Sequence, residues 1–438
     1  WARERVASGR AAHLDLYDVP STEWPIFGSV YYLWATEELQ KAWESDPRPS
    51  RQAPRDYARA AIDAATELIL DPVHHTWVRE HWGDDYLHKE NVFFRALIIA
   101  GLTARENLLK DGHHLDVLRD QVETLSAELD ASPFGVLNDY PGECYPIDVF
   151  AAVACIRRAD AVLGADHSPF VARELRAFRG DMLDKRGLPP YFMDDPYKGK
   201  HSLPSRGIGN SYILIFAPHL YPEQARTWYE QYDHCFWQER MLAAGYREYP
   251  KDIPERDWFF DVDSGPVING FSPAANAYAV ASSRVNGRFD QAYMLAAQVI
   301  AATWPLADGS LLGARILSDP VHAPHLGEAN LLFLLTQQPA PGVEIKTGGH
   351  LPGFVYVGLL FFFGVGAAVL AGTAVGLRRW RRQRATLSVP FPRLQAGLWL
   401  LLLLGSVATL ATGHGAPGMI LLLAAQFLPR ATSGSKKG

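Results

Sequence analysis

Acidic residues are absent from the end of this 438-residue chain. Residues 352–438 contain nine Lys and Arg and no Asp or Glu, whereas residues 1–351 contain 33 basic and 48 acidic side chains, a net charge of about −15 with His neutral. This acidity excludes nucleic-acid binding by the first part, because contacts to phosphates need clustered Lys and Arg. Charge therefore divides the chain into an acidic part, long enough to bury a large core, and a basic tail.

Cysteine is scarce, and Cys144, Cys155 and Cys235 are the full set. An odd count excludes the disulfide framework of a small secreted scaffold, although one pair could be bridged. Cys155 lies in an apolar run that is typical of a core. Cys144 lies among polar residues, which makes it a candidate nucleophile, although no His is adjacent to it in the sequence.

Metal-binding motifs are also missing. The chain contains no HExxH and no CxxC motif. His322, His325 and Glu328 have a spacing that the start of a helix could turn inward, but this set matches no usual ligand pattern and histidines are common on protein surfaces. We therefore expect neither a metal site nor a cofactor.

Long apolar runs without charge characterise the basic tail. The run from 353 to 377 has 25 uncharged residues, about 37 Å as a helix, which exceeds a hydrocarbon core of roughly 30 Å. We predict a transmembrane helix there, a second over 394–412, and a third over 416–428 that is short or re-entrant. The membrane region then covers 346–438, and the preceding domain covers 1–345.

Basic residues indicate how these helices are oriented. Five arginines lie between residues 378 and 384 in a connecting loop over 378–393, and the tail over 429–438 is basic as well. The positive-inside rule places both in the cytoplasm, so the large domain is expected on the extracytoplasmic side of the plasma (inner) membrane. No export signal follows Trp1, and we therefore expect an upstream signal or membrane segment.

Strand patterns are nearly absent from the acidic part. Apolar residues recur at the spacing of a helix, and runs that are apolar all round alternate with amphipathic runs that have a charged face. The expected helices cover 28–44, 56–70, 91–109, 114–129, 146–163, 169–184, 208–217, 222–243, 272–286, 289–302 and 326–336.

The runs that are expected to be buried recur about every 60 residues, which indicates a structural repeat. They begin near residues 28, 90, 146, 206, 270 and 327. Six evenly spaced inner helices with outer partners predict an all-α fold, an (α/α)6 toroid of helical hairpins. An open α-solenoid and two separate helical domains remain as alternatives.

The segments that lead into these buried helices are rich in polar and aromatic residues. In a closed ring of hairpins all inner helices run the same way, so these segments share one rim, whereas the loops at the other end are short. We expect a binding crater on that rim, because loops on a rigid scaffold carry function. The segments are 81–91, 138–148, 197–210, 259–270 and 319–330.

Carboxyl groups dominate the chemistry of this rim. Two carboxyl groups with different pKa values can donate and accept protons during C–O bond cleavage, and we predict Glu143 as the acid and Asp263 or Asp261 as the base. Asp148 and Cys144 are further candidate catalytic residues. The candidate substrate-binding residues are Tyr140, Tyr145, Trp258, Arg206, Glu90, His325 and Glu328.

The acidic residues also have structural interpretations. Asp261 and Asp263 are two apart in an expected extended segment and would point the same way, which favours a functional pair. However, Asp148 and Asp263 also lie where a helix N-cap is expected, and Glu90 could be an acid of a first helical turn. The sequence alone leaves capping and catalysis open.

Four segments in order within residues 25–336 resemble the linalool dehydratase/isomerase family. They read HKENVFFRALI, ECYPIDVFAAVACI, DVDSGPVINGFSPAANAYAVASSR and LGEANLLFLL. The resemblance implies an α/α six-hairpin barrel. It also implies an aspartate-rich approach to the fifth inner helix, which here contains Asp261 and Asp263.

The catalytic positions that the resemblance implies are occupied by other residues. By ungapped matching, the family's catalytic His falls on Leu97. Its two active-site cysteines fall on Asn138 and Ile147, and Cys144 lies between them. The resemblance therefore implies the fold more directly than the family's chemistry.

Three functions from different classes fit the sequence. We favour a membrane-anchored extracytoplasmic acid/base enzyme that cleaves C–O bonds of a hydroxylated substrate, a glycan or glycoconjugate, by hydrolysis or elimination. A broad crater lined by aromatic residues would fit it. The resemblance implies a second function, a dehydratase or isomerase of small alcohols with a closed apolar pocket. The third is a non-catalytic receptor for a glycan or another partner. In each case the C-terminal helices contact the lipid bilayer.

Overall fold

The computed structural model describes residues 1–303, 310–316, 318–383, 391–411 and 415–428. It is mostly helical, which confirms the all-α prediction. Two compact units form: Trp1–Ala296 with Ile316–His350, and Ala297–Arg315 with Leu351–Gly438. The division predicted at residue 345 stays a prediction.

The helices up to residue 336 lie mainly in the first unit, whereas the segment Ala297–Arg315 belongs to the second. In chain order they are α1 (Ala2–Ser8), α2 (Val19–Thr22), α3 (Trp24–Ser45), α4 (Pro54–Tyr57), α5 (Arg59–Leu70), α6 (Thr76–Trp82), α7 (Val92–Leu109), α8 (Leu115–Ala131), α9 (Pro146–Leu163), α10 (Ser168–Glu174), α11 (Gly207–Leu220), α12 (Pro222–Phe236), α13 (Pro273–Val285), α14 (Phe289–Ala302), α15 (Leu312–Ile316) and α16 (Leu326–Thr336). Short 3-10 turns lie at Arg10–His13, Tyr86–His88, Leu175–Phe178, Gly180–Met182, Pro196–Lys198 and Pro254–Arg256.

The strands form two antiparallel ribbons. β1 (Trp237–Glu239) pairs with β2 (Ala244–Tyr246). β3 (Trp258–Asp261) pairs with β4 (Gly265–Ile268), with Trp258 opposite Ile268. The sequence predicted neither ribbon, because strands of three or four residues leave too short a pattern to recognise.

Two predicted helices were too long. The helix expected over 169–184 ends at Glu174, because Arg179 is extended and Gly180 adopts a φ of 59°. The helix expected over 222–243 ends at Phe236, where the chain enters β1. In both cases apolar residues continue past the true end of the helix, so their spacing alone did not reveal where the helix ends.

The long helices α3, α7, α9, α11, α13 and α16 form the buried layer of the first unit. Each packs against the next in chain order, and α16 packs against α3. Helix α5 packs against α3 and α7, α8 against α7 and α9, and α12 against α11. The runs that are apolar all round therefore form the helices of this buried layer.

Aromatic side chains fill the space between α3, α11 and α16. The ring of Trp34 on α3 stacks on Phe333 at 5.1 Å and lies 6.0 Å from Phe216 of α11. Tyr31, one turn earlier, lies 5.6 Å from Phe333. Burying each such ring contributes roughly 2–3 kcal/mol, so this cluster stabilises the packing of α3 against α11 and α16.

The second unit contains the helices of the basic tail: α17 (Gly353–Gln383), α18 (Pro392–Ala411) and α19 (Gly415–Ala425). Two segments, Gly353–Arg379 and Pro392–Thr409, are long and apolar enough to span a membrane. Helix α19 has 11 residues and packs against α18, where the Ser406 hydroxyl donates to the Gly418 carbonyl at 2.8 Å. Part of the predicted cytoplasmic loop (384–390) and the predicted tail (429–438) lie outside the described residues.

A buried histidine, His75, connects two neighbouring segments of the first unit beside α7. His75 Nε2 donates to the Ile69 carbonyl at 2.7 Å, and Nδ1 accepts from the Tyr86 hydroxyl at 2.9 Å. The His75 ring also packs edge-on against Phe94. Burial lowers the pKa of His75 to about 4. The accepting nitrogen must stay unprotonated for this arrangement.

We predict that His75 makes the fold acid-sensitive. The unfolded chain binds a proton at His75 near its ordinary value of 6.5, whereas the folded chain resists it until about pH 4. The free energy of unfolding therefore falls as the pH drops through this range, by about 3 kcal/mol from this residue. Denaturant unfolding of the full chain in detergent would measure it. The acid-induced loss of unfolding free energy should be smaller in His75→Gln than in wild type, and it should persist in the exposed control His13→Gln. An equal loss in wild type and both variants would contradict the prediction.

Candidate active site

Side chains from four distant stretches of chain meet near the N-terminal ends of the buried helices. Glu23 precedes α3, Tyr145 precedes α9, Arg206 precedes α11, and the β3–β4 hairpin leads to α13. We call the acidic residues that gather there the acidic cluster: Glu23, Asp139, Glu143, Asp148 and Asp263. The shared location is set by the packing of the helices, since these residues are up to 240 positions apart.

A chain of tyrosine contacts links the members of the acidic cluster. The Tyr145 hydroxyl donates to Glu143 at 3.2 Å, and its ring lies 5.6 Å from that of Tyr191. The Tyr191 hydroxyl in turn donates to Asp263. Both predicted catalytic residues, Glu143 and Asp263, therefore lie at one place, and both are exposed.

Glu23 lies deeper than these two residues. Its carboxyl accepts a hydrogen bond from the Tyr140 hydroxyl. Burial raises the pKa of Glu23 to about 7, against the opposing effect of Tyr140 and with added repulsion from Asp263 and Glu143. Near neutral pH this carboxyl is therefore divided between its acid and its base form.

Asp139 and Asp148 are the most strongly perturbed acids of the cluster. Asp139 is buried and accepts the backbone amides of Phe93 at 2.9 Å and Tyr145 at 3.0 Å. Burial, together with repulsion from Asp139 and Glu23, raises the pKa of Asp148 well above its usual range. Among the described residues, no hydrogen bond to the Asp148 carboxyl offsets these effects.

Tyrosine hydroxyls line the interior next to Asp148. Tyr31 donates to Tyr278 at 3.1 Å, and the ring of Tyr212 lies 5.0 Å from that of Tyr278. The charge of Asp148 acts on both Tyr212 and Tyr278, which raises their pKa values further beyond the effect of burial. Below the acids the site is therefore aromatic, with a few hydroxyl groups.

Arg206 fixes one side of the site. Its Nε donates to Glu248 at 2.6 Å, its Nη2 donates to Asp261 at 2.7 Å, and its guanidinium stacks on Tyr191 at 4.2 Å. A Cβ on Gly207 would lie 2.0 Å from the Arg247 carbonyl oxygen. Glycine therefore lets the chain before Glu248 approach the start of α11 closely enough for this ion pair.

Asp261 and Asp263 make different contacts in the hairpin. Asp261 ends β3, whereas Asp263 lies in the turn, so the expected extended pair is not formed. Burial would raise the pKa of Asp261, but the amide and hydroxyl of Ser264 and the charge of Arg206 outweigh it and lower the pKa. Asp261 is therefore an ionised anchor, and only Asp263 reaches the acidic cluster.

Two structural interpretations of the acids are wrong. Tyr145 is the N-cap of α9, and Asp148 lies inside the first turn without capping it. The N-cap of α13 is Ser272, whose hydroxyl accepts from the Ala275 amide, not Asp263. Neither Asp148 nor Asp263 is therefore a helix N-cap.

Glu90 and Cys144 hold the loop before α9 in place. Glu90 precedes α7 instead of lying in its first turn, and it accepts from the Asn138 amide at 2.8 Å and from the Tyr197 hydroxyl. Cys144 is buried, and its carbonyl accepts from the Met193 amide at 2.9 Å. Burial raises the pKa of the Cys144 thiol well above its usual range, which disfavours the thiolate. All three cysteines are free, so the possible bridge is not formed.

Three other predicted residues, Trp258, His325 and Glu328, make no recorded contact with the acidic cluster within the described part of the chain. The Trp258 side chain is 69% exposed on the hairpin, and His325 is exposed at the start of α16. Both carboxylate oxygens of Glu328 are buried without a hydrogen bond among the described residues.

Neither a metal arrangement nor a large surface depression coincides with the acidic cluster. Within the described ranges, no group of three His, Cys, Asp or Glu side chains is arranged to hold a metal ion. His322, a candidate ligand, pairs with Arg5 at 3.1 Å. Depressions of about 310 and 320 Å³ lie beside α4 and α7 and beside α8 and α10. Neither of these two depressions is lined by residues of the acidic cluster.

The sequence analysis missed three residues of this site. Glu23 leads into the first buried helix just as the recognised segments lead into the others, so the same argument would have found it. Asp139 lay in a recognised segment but was not distinguished from its neighbours. Tyr191 lies six residues before the segment expected to begin at residue 197, and nothing in its local sequence signals its contact with Asp263.

We predict that Arg206 is essential to the stability of this region. Replacement by Met would leave Glu248 buried without its cationic partner, at a cost of about 3–5 kcal/mol in the free energy of unfolding. The double variant, Arg206→Met with Glu248→Gln, should recover part of this lost free energy of unfolding. The control Arg173→Met removes a partly exposed pair with Asp130 and should cost less than about 1 kcal/mol. Chemical denaturation in detergent would test the series, and similar losses for Arg206→Met and Arg173→Met would contradict it.

Comparison with known proteins does not indicate a function, so the function must be inferred from the side chains. No protein-family model matches the chain, and no curated protein matches it. The likeness to the linalool dehydratase/isomerase family therefore rests on the four short segments quoted above.

Proposed function

We propose that the first unit is an (α/α)6 toroid of helical hairpins. The support is the packing of α3, α7, α9, α11, α13 and α16, each against the next, with α16 against α3. Partner helices such as α5, α8 and α12 lie between or beside them in the sequence and carry the charged faces. This arrangement would gather the N-terminal ends of six helices around one opening, as the resemblance to the linalool dehydratase/isomerase family implies.

We further propose that this unit is held on the extracytoplasmic side of the plasma (inner) membrane. Two helices of spanning length in the second unit support the anchoring. The arginines between residues 378 and 384 support the sidedness, since such residues favour the cytoplasm. The acidity of the first 351 residues fits a domain that binds neither nucleic acid nor an anionic surface through charge.

For the activity we propose acid/base cleavage of a C–O bond in a hydroxylated substrate at the acidic cluster. The observation that carries this proposal is the coexistence of carboxyl groups in different environments. Burial and repulsion from Asp139 and Glu23 raise the pKa of Asp148 well above its usual range, burial raises the pKa of Glu23 to about 7, and Glu143 and Asp263 are exposed beside them. Such separation of neighbouring acids is what a proton donor and a proton acceptor require.

The reaction needs one acid and one base. Asp148 or Glu23 would give its proton to the leaving oxygen as the C–O bond breaks. In hydrolysis, Glu143 or Asp263 would take a proton from a water molecule as its oxygen bonds to carbon; in elimination, it would take a proton from the neighbouring carbon. Asp148 or Glu23 replaces Glu143 as the preferred donor, because its environment favours the protonated form.

The mouth of the site favours a sugar ring of a glycan or glycoconjugate. Tyr145 lies beside Tyr191 and 5.3 Å from the ring of Phe192, which gives aromatic faces next to Glu143 and Asp263. In many enzymes that act on glycosides, a pair of carboxyl groups cleaves the glycosidic bond, and aromatic faces beside them contact the sugar ring. Arg206 would hold Tyr191 in position through its stacking contact.

A second candidate is dehydration or isomerisation of a small alcohol. The tyrosine-lined interior beside Asp148 favours it, because a small molecule could place its hydroxyl near the protonated acid and its carbon chain among the rings of Tyr31, Tyr212 and Tyr278. A non-catalytic receptor would use the same surfaces without needing any carboxyl to change its protonation state.

We predict that turnover depends on the acidic cluster. Asp148→Asn, Glu143→Gln and Asp263→Asn are each expected to lower kcat/KM by about 10²-fold or more, because each removes a proton-transfer group. Full-length protein in detergent would be assayed with a panel of glycosides and small tertiary or allylic alcohols. Asp116→Asn, which changes a fully exposed carboxylate on α8, is the matched control.

The outcome discriminates among the candidates. Turnover of glycosides supports the first activity, and turnover of alcohols supports the second. Binding without turnover that survives all three substitutions would favour the receptor. Equal turnover in wild type and the three variants would remove the acidic cluster from the mechanism.

A further inference from the structure

The β3–β4 hairpin has two faces of opposite character. On one face Asp261 bonds to Arg206 and Val267 is buried, so this face is fixed to the candidate active site. On the other face Trp258 is 69% exposed, Phe260 is 75% exposed, and Ile268 is exposed as well. Strand pairing places Trp258 opposite Ile268 and Phe260 opposite Pro266, which makes the outer face continuously apolar.

The neighbouring β1–β2 ribbon extends this apolar surface. Its turn carries Met241, which is 87% exposed, and Leu242, which is also exposed. Gln238 of β1 donates to the Asn269 carbonyl at 2.9 Å, next to the end of β4. This bond joins the two ribbons, so their exposed apolar side chains are carried by connected elements. We call this apolar surface the hairpin face; its members are Met241, Leu242, Trp258, Phe260, Val262, Pro266 and Ile268.

The hairpin face exposes large apolar side chains to water, and the folding of the hairpin does not explain this exposure. Large apolar side chains exposed singly are normal on a protein, but a contiguous set marks a binding surface. In the same hairpin Phe259 packs against Tyr249 at 5.6 Å, so the ribbon already has a buried side that stabilises it. The outer side chains contribute nothing to that packing.

We propose that the hairpin face binds the surface of a lipid bilayer, with Trp258 and Phe260 inserted at the boundary between headgroups and acyl chains. Trp with bulky aliphatic residues and no charge is the composition that favours this boundary. The chain itself carries two helices of spanning length, so a bilayer is present at high effective concentration. The inference rests on the membrane anchoring proposed above.

Other occupants fit less well. A glycan-binding platform needs hydrogen-bonding groups beside its aromatic rings, whereas Trp258 and Phe260 adjoin Pro266 and Ile268. A second copy of this chain would instead shield these side chains from both lipid and water, an outcome that accessibility measurements distinguish. Since the hairpin also delivers Asp261 and Asp263 to the site, bilayer contact would hold the acidic cluster within reach of an amphiphilic substrate.

Spin labelling of the full chain would test the hairpin face. Phe260→Cys and the control Val117→Cys, exposed on α8, would each be prepared with Cys235→Ser, since the other two cysteines are buried. The labelled proteins would be reconstituted in vesicles of phosphatidylethanolamine and phosphatidylglycerol. Collision of each label with oxygen, which concentrates in lipid, and with a water-soluble nickel chelate would be compared.

We expect the label at 260 to favour oxygen over nickel by several-fold more than the label at 117. Equal nickel accessibility at both positions would overturn the proposal, as would a label at 260 shielded from both reagents, which would indicate a protein contact. Ile268→Cys provides a second position if the first variant does not fold. Vesicle flotation separates this result from the anchoring: chain that fails to float contradicts the membrane anchor, whereas chain that floats with a water-exposed label contradicts the hairpin face alone.

Discussion

Repulsion among carboxyl groups in a poorly hydrated space is the constraint on which this site depends. Asp139 is buried, Glu23 and Asp148 are half-buried, and the charges of Glu143 and Asp263 act on them from the mouth. Burial and this repulsion raise the pKa values of Asp139 and Asp148 well above the usual range and that of Glu23 to about 7. In the proposed mechanism, the position of each carboxyl group would decide whether it donates or accepts a proton.

The fold maintains this unfavourable arrangement by fixing each acid through a separate element. Tyr140 holds Glu23, two backbone amides hold Asp139, and Arg206 fixes the hairpin that carries Asp263. The aromatic cluster around Trp34 and Phe333 stabilises the packing of α3 against α11 and α16. A site whose members repel each other needs such external support, which is why the ion pair between Arg206 and Glu248 matters although neither residue is an acid of the cluster.

Much of the helical framework could be predicted from the sequence, because buried helices repeat a simple apolar pattern. Glu143, Asp148 and Asp263 were found by asking which polar segments precede those helices. The raised pKa values of Glu23 and Asp148 could not be found in that way, since burial depends on which helices meet. The two ribbons were missed because their strands are too short to show alternation, and one of them separates Asp261 from Asp263 in function.

Infrared spectroscopy of the full chain at pH 7 tests the central claim most directly, because a protonated carboxyl group has its own C=O stretching band. The difference between wild type and Asp148→Asn should show the loss of one protonated carboxyl group, since burial and its neighbours raise the pKa of Asp148 well above its usual range. A difference spectrum that shows only the loss of an ionised carboxylate would contradict the account.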